Sequence, residues 1–181
     1  LNWNWIYARA VFFPTLCWNA LLGRWLGARR WWDRVDDHVL IGALPFASDV
    51  PRLREEGVRA VVNTCEEYGG PVAAYDRAEI EQLRTPTIDF THPSLESVVR
   101  AVDFISAWAE KGHATYVHCK AGRGRSATVV VCWLMKSRQW TPDQAQQFLL
   151  EKRAHVNRHL SRRPVVRQYY EQRVKQQVEE P

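Results

Sequence analysis

The chain has 181 residues, enough for one domain with a sizeable core and an added segment, and no low-complexity tract or repeat interrupts it. Its 46% hydrophobic and 25% charged residues are ordinary for a globular protein, and a net charge of +5 favours anionic partners such as phosphorylated substrates, nucleic acid or anionic membrane. Four cysteines (Cys17, Cys65, Cys119 and Cys132) form no CxxC pair and no metal spacing with histidine, so they read as reduced thiols and exclude a disulfide framework.

Six of the nine tryptophans lie in residues 1–32, together with Arg9, Arg24, Arg29 and Arg30 and no acidic residue. The apolar run AVFFPTLCWNALL is too short to span a bilayer and is broken by Pro14 and Asn19. A Trp-rich, Arg-bearing, acid-free stretch suits a helix lying in a membrane interface, or an organelle-targeting segment. A helix packing its aromatic residues on the domain is the competing reading. Leu1 rather than methionine opens the sequence, which leaves room for a segment upstream. Acids first appear at Asp33, which sets the expected boundary between residues 1–32 and a domain over 33–178.

The domain begins with DDHVLIGALP, a short strand ending at Gly42 and Pro45. SDVPRLREEG is a short helix capped by Ser48 or Asp49 and stopped at Gly57. VRAVVNTC is a buried, β-branched strand that runs into the polar loop EEYGG, and LRTPTIDF is a weaker strand broken by Pro86. From Ser94 the apolar positions Leu95, Val98, Val99, Val102, Ile105 and Trp108 recur at helical spacing, and Gly112 closes the helix. ATYVHC is a strand and SATVVVCWLMK a buried helix. Thr141, Pro142 and Gln144 supply the cap, first-turn proline and capping-box partner of another helix, and residues 164–178 form a terminal amphipathic helix. Strands alternating with helices imply an α/β fold, a mainly parallel sheet covered on both faces.

The stretch VHCKAGRGRSATVVV lies where a strand becomes a helix. Gly122-x-Gly124-x-x-Ala127, with Asp143 downstream, resembles a dinucleotide-binding turn. The context is wrong for it: Asp143 opens a helix instead of ending a strand, and bulky cations fill the intervening positions. The GxxxxGK[ST] loop is absent. A nucleophilic thiol accounts for more of the residues. A thiol attacks as thiolate, which nearby cations and a helix N-terminus both favour. Successive backbone N–H groups from Lys120 through Ala121, Gly122, Arg123 and Gly124 to Arg125 can curl round one phosphate, with Gly122 and Gly124 permitting the curl. Arg125 can grip two phosphate oxygens, Ser126 can hydrogen-bond the thiolate, and His118 orients the loop. The plain alternative is a buried cysteine beside a basic turn.

His118-Cys119-x5-Arg125-Ser126 resembles the HCx5RS/T signature of cysteine-based protein tyrosine and dual-specificity phosphatases. Over residues 31–173, WWDRVDDHVLIGALP, NTCEEYGG, PTIDFTHPS and YVHCKAGRGRSAT resemble the mitochondrial phosphatidylglycerophosphate phosphatases, with Gly124 and the PTIDFTHPS run closest to plant-type members. Ala154, where an Arg-Pro pair is common, and the tail around SRRPVV depart from the pattern.

The resemblance implies the dual-specificity phosphatase fold and removal of the terminal phosphate of phosphatidylglycerophosphate through a cysteinyl-phosphate, giving phosphatidylglycerol for cardiolipin synthesis. It implies a mitochondrial, inner-membrane-associated monomer (or a plastid one) that acts without cofactor, metal or nucleic acid. An anionic phospholipid is the implied substrate, and residues 1–32 the contact with the membrane surface. A phosphoprotein or phosphoinositide phosphatase is the alternative activity, and a catalytically dead phosphate-binding module a third reading. By resemblance Asp89 stands at the general acid, ahead of Asp76 and Asp103, with a turn residue as its plain reading. Glu66 and Glu67 border the active site and shape substrate access, or are a solvated turn. Cys65 is a possible redox partner of Cys119, or simply a small strand residue. Residues 152–175 hold eight Lys or Arg and one acid, which reads as a membrane-facing patch or a solvated helix face.

Overall fold

The structure, a computed structural model, describes residues 30–175 together with Pro14. The expectations for Cys17 and for residues 1–29, including the membrane-associating helix, fall outside the described residues apart from Pro14.

Five strands make one sheet: β1 (Trp32–Arg34), β2 (Val39–Gly42), β3 (Val58–Cys65), β4 (Glu81–Thr87) and β5 (Ala114–His118). Their order is β1-β2-β5-β3-β4; β1 runs antiparallel to β2 and every other pairing is parallel. The helices are α1 (Val50–Glu55), α2 (Val72–Arg77), α3 (Leu95–Glu110), α4 (Arg125–Arg138), α5 (Pro142–Lys152) and α6 (Pro164–Arg173). Strand alternation sorts the core into two layers. Val39, Ile41, Val62 and Val117 face α3, α4, α5 and α6, while Leu40, Val61 and Tyr116 face α1 and α2. Every position of α4 from Arg125 to Met135 is buried, so its helical amphipathicity is weak and its burial comes from being the central helix.

The expected fold class is the observed one, and several caps are as the residues imply. The Ser94 hydroxyl accepts the Ser97 N–H at 3.2 Å, and the Gln144 side chain accepts the Thr141 N–H at 2.9 Å. Three local expectations need adjustment. Strand β4 starts at Glu81 and stops at Thr87, and Pro86 is tolerated because β4 is an edge strand. The helix α1 is preceded by a 3-10 turn over Ala47–Asp49. Helix α6 ends at Arg173. Helix α2 and strand β1 were not foreseen; each is too short for its periodicity to register.

Strand β1 crosses the composition break at Asp33. Trp32 is buried, and its indole N–H donates to Glu56 Oε1 at 2.8 Å; the Trp31 indole donates to the Leu44 carbonyl at 3.0 Å. These two tryptophans therefore belong to the folded domain. In register, Gly42 and Asn63 both lie opposite His118, so β2 and β5 end together, β3 runs on to Cys65, and β5 delivers Cys119 to the carboxyl edge of the sheet.

Candidate active site

Cys119 is the first residue after β5 and Arg125 the first of α4, so the segment between them is a strand-to-helix turn facing the helix N-terminus. Gly122 has a φ of +66°, and a Cβ there would lie 2.5 Å from the Gly42 carbonyl carbon, so both conformation and space require glycine. Gly124 does not share that requirement. Its φ is −125°, and a Cβ would meet nothing nearer than the Arg163 guanidinium at 3.6 Å. The curl needs one glycine, not two.

The Cys119 thiol is 4% exposed and accepts a hydrogen bond from Ser126 Oγ at 3.3 Å. Burial alone would raise its pKa. The charge of Arg125, the Ser126 hydroxyl and the backbone N–H groups of Ser126 and Arg123 outweigh burial and bring it from 9.0 to about 7. A thiolate is thus available at neutral pH.

Arg125 is gripped from behind. Its Nη1 donates to Glu67 Oε2 and to the Thr87 carbonyl, both at 2.7 Å, and its Nη2 lies 3.0 Å from Asp89 Oδ1. Burial disfavours its charge, but Cys119, Cys65, Asp89 and Glu67 more than compensate. Glu67 Oε1 also accepts the Asp89 backbone N–H at 2.9 Å, so one buried carboxylate fixes both the guanidinium and the 88–91 loop. The other oxygen of Asp89, Oδ2, is bonded to Lys120 Nζ. The Lys120 ammonium also lies 5.1 Å from the centre of the Phe90 ring, which is 66% exposed.

The profile described as the dual specificity phosphatase catalytic domain matches residues 39–172. This chain belongs to the dual-specificity phosphatase family. Phosphatidylglycerophosphate phosphatase PTPMT1 of Arabidopsis thaliana is 41% identical over 170 residues, or 92% of this chain. The chain spans 50% of that plant protein's length. Mouse phosphatidylglycerophosphatase and protein-tyrosine phosphatase 1 is 36% identical over 91% of this chain and 90% of its own. The crystal structure of PTPMT1 in complex with PI(5)P superposes with a TM-score of 0.71 at 33% identity, covering 78% of this chain and 95% of that one.

In this dual-specificity phosphatase the structure brings together Cys119, Lys120, Arg125, Ser126, Asp89 and Glu67. It separates Glu66 from Glu67: the Glu66 backbone joins the sheet edge, its N–H donating to the Thr87 carbonyl at 3.4 Å, and only Glu67 reaches the arginine. His118 is buried and stacks on Tyr116 with ring centres 5.7 Å apart. Burial pushes its pKa down to about 3, so it stays neutral. Its carbonyl accepts the Thr64 hydroxyl at 2.9 Å. Cys65 is fully buried and free, and burial raises its thiol well above the ordinary range. Among the described residues no group of three His, Cys, Asp or Glu is placed to hold a metal ion.

Two residues missed from the sequence complete the loop. Arg153 is buried; its Nε donates to the Gly122 carbonyl at 3.0 Å, its Nη2 to Ala121 O at 3.3 Å, and its Nη1 lies 2.5 Å from Asp33 Oδ2. Arg163 Nη1 donates to the Gly124 carbonyl at 3.2 Å and Thr128 Oγ1 at 2.6 Å. Both bind the outward-facing carbonyls, which leaves the N–H groups to face inward. Nothing in their sequence positions signals this, since it depends on the return of the chain after α5. Ala121 and Arg123 complete the expected loop. Arg123 is exposed, and its Nε donates to the His155 carbonyl at 2.9 Å. A cavity of about 750 Å³ opens above Cys119, lined on one side by this loop and on the other by residues 154–159 and Arg163.

Proposed function

We propose that this chain hydrolyses the terminal phosphomonoester of phosphatidylglycerophosphate or a closely similar anionic phospholipid. The observation that carries the reading is a thiol at about 7, an anchored guanidinium and a loop-borne aspartate converging at the floor of a cationic cavity. The relatives named as phosphatidylglycerophosphate phosphatases supply the substrate class.

In this reading the Cys119 thiolate attacks phosphorus. Arg125 and the loop N–H groups stabilise the charge on the equatorial oxygens, and Asp89 gives a proton to the departing alkoxide. The cysteinyl-phosphate is then hydrolysed by water, with the Asp89 carboxylate taking its proton and Ser126 stabilising the departing thiolate. Lys120 adds charge to the cavity wall, and the exposed Phe90 offers an apolar contact beside it. No helix among the described residues is long and apolar enough to cross a membrane. Membrane association is assigned to residues 1–29 of the Trp- and Arg-rich segment, since Trp31 and Trp32 pack in the domain, and the substrate class supports a location at a mitochondrial membrane.

Phosphate release from vesicles of phosphatidylglycerophosphate, from phosphoinositides and from a phosphotyrosine peptide tests the reading, with Cys119→Ser as the inactive control. The lipid is expected to be the best substrate. A phosphopeptide turned over faster than either lipid refutes the lipid assignment and favours the phosphoprotein activity that the mouse relative's name includes. Removal of residues 1–29 is expected to reduce binding to anionic liposomes while soluble-substrate turnover persists; unchanged binding refutes the membrane role.

A further inference from the structure

The wall of the cavity opposite the catalytic loop is basic. Residues 154–159 and Arg163 line it, and together they bring Arg158, Arg163, His155 and His159 to face Arg123. Among the described residues Asp89 is the single acidic residue lining the cavity, and it is engaged by Lys120 and Arg125. Among the described residues no carboxylate lies within ion-pair distance of Arg123, Arg158 or Arg163. Uncompensated guanidinium groups sharing one concave surface mark a place where an anion is favoured.

This wall is also built rather than loose. The Gln146 side chain, itself buried, donates to the Arg158 carbonyl and accepts the Ser161 N–H at 2.7 Å. Asn157 Oδ1 accepts the His159 N–H at 2.8 Å, and the Asn157 N–H donates to the Arg123 carbonyl at 2.9 Å. Arg163 is half-buried and fixed through Nη1 alone, so its Nε and Nη2 have no protein partner among the described residues. Its bond to the Gly124 carbonyl places it at the rim of the phosphate loop. The Arg163 guanidinium is held in advance, while Arg158 extends from a backbone that Gln146 fixes; planar guanidinium forks suit the paired oxygens of a phosphate, and for Arg163 part of the ordering cost has already been met by the fold.

We propose that Arg158 and Arg163 form a second anion subsite, which takes the phosphodiester of a substrate whose terminal phosphomonoester lies in the 119–125 loop. The proposal rests on the lipid phosphatase reading and deepens it. A phospholipid that carries a phosphodiester and a phosphomonoester on one glycerol presents two anions a short linker apart, and the cavity presents two cationic sites facing each other. A phosphotyrosine side chain fills one site only. Selectivity for the doubly anionic headgroup therefore lies with the 154–163 segment and not with the signature loop, which any phosphomonoester uses.

The test uses two soluble compounds with similar alcohol leaving groups: glycerol 3-phosphate, with one phosphate, and glycerophosphoglycerol phosphate, the deacylated headgroup with two. The quantity read is the ratio of their kcat/KM values, the second over the first. The wild-type ratio is expected to be well above one, and Arg158→Ala to lower it about tenfold, the worth of a charge-assisted hydrogen bond. Arg158→Glu lowers it further. Arg77→Ala, which removes an exposed cation remote from the cavity, serves as the control for net charge. A wild-type ratio near one, an unchanged ratio in Arg158→Ala, or an equal fall in Arg77→Ala overturns the subsite. These outcomes are separable from the lipid reading. A protein inactive on phosphatidylglycerophosphate vesicles that keeps the soluble preference, and loses it in Arg158→Ala, retains the subsite and loses the lipid assignment.

Discussion

Replacing Arg153 by methionine tests how the phosphate loop is held. The guanidinium is 1% exposed and its partner Asp33 9%, so water does little to screen the pair. Removing the arginine strands the Asp33 carboxylate and leaves the Gly122, Ala121 and Arg30 carbonyls without this donor. Arg30 lies 3.8 Å from the same carboxylate, but at 85% exposure it is a weak substitute. Breaking a buried pair from one side costs about 3–5 kcal/mol. With a urea dependence of about 2 kcal/mol per molar, the midpoint of unfolding should fall by roughly 1.5–2.5 M. Equilibrium urea denaturation followed by tryptophan fluorescence measures this. The double variant Asp33→Leu with Arg153→Met separates the two roles of the arginine. It should recover most of the stability, because no lone charge remains buried, while activity stays low because the loop carbonyls have lost their tether. A loss in Arg153→Met below about 1 kcal/mol, or full activity in the double variant, refutes the reasoning.

Three further outcomes follow from the site. With the Cys119 thiolate as the proposed attacking form, kcat/KM should rise with pH along an acid limb centred near 7; Ser126→Ala should move that limb upward, and a profile flat from pH 5 to 8 would contradict the assignment. Asp89→Asn should cost about two to four orders of magnitude on alkyl phosphates and clearly less on activated aryl phosphates, and equal losses on both would make Asp89 structural. Mild peroxide should take the Cys119 thiolate to a sulfenic acid, which the Cys65 thiol attacks to form a disulfide and release water. Peptide mapping without a Cys65–Cys119 link, or dithiol recovery unchanged in Cys65→Ser, removes that idea.

Much of the fold was legible because each long element repeats its signal. β-Branched runs mark β3, the helical recurrence from Leu95 marks α3, and the Thr141 capping box marks α5. The signature loop was legible because its chemistry is concentrated in eight consecutive residues, 119–126. Other features depend on the return of distant segments and leave no local trace. Glu66 and Glu67 look alike in sequence; a shift in register between Asn63 and Cys65 precedes them, and only Glu67 reaches Arg125. Arg153 and Arg163 look like two more cations in a basic tail until the chain folds back over the loop. Gly124 looks as necessary as Gly122 in the sequence, and only the backbone angle and the space around each separate them.

Asp89 lies across Lys120 and Arg125, so the cavity carries its own counter-ion. Entry of a phosphate is therefore an exchange of anions, and the two cations need not stand bare at any stage. Such an exchange favours a dianion with several free oxygens over a single carboxylate, and gives little to chloride or other monoanions. The displaced carboxylate does not travel far, because its own backbone N–H is tied to Glu67. With Asp89 as the proposed general acid, seating the phosphate and freeing that acid toward the leaving oxygen would be one movement, and a weak anion that could not dislodge Asp89 would also leave the proton donor out of play.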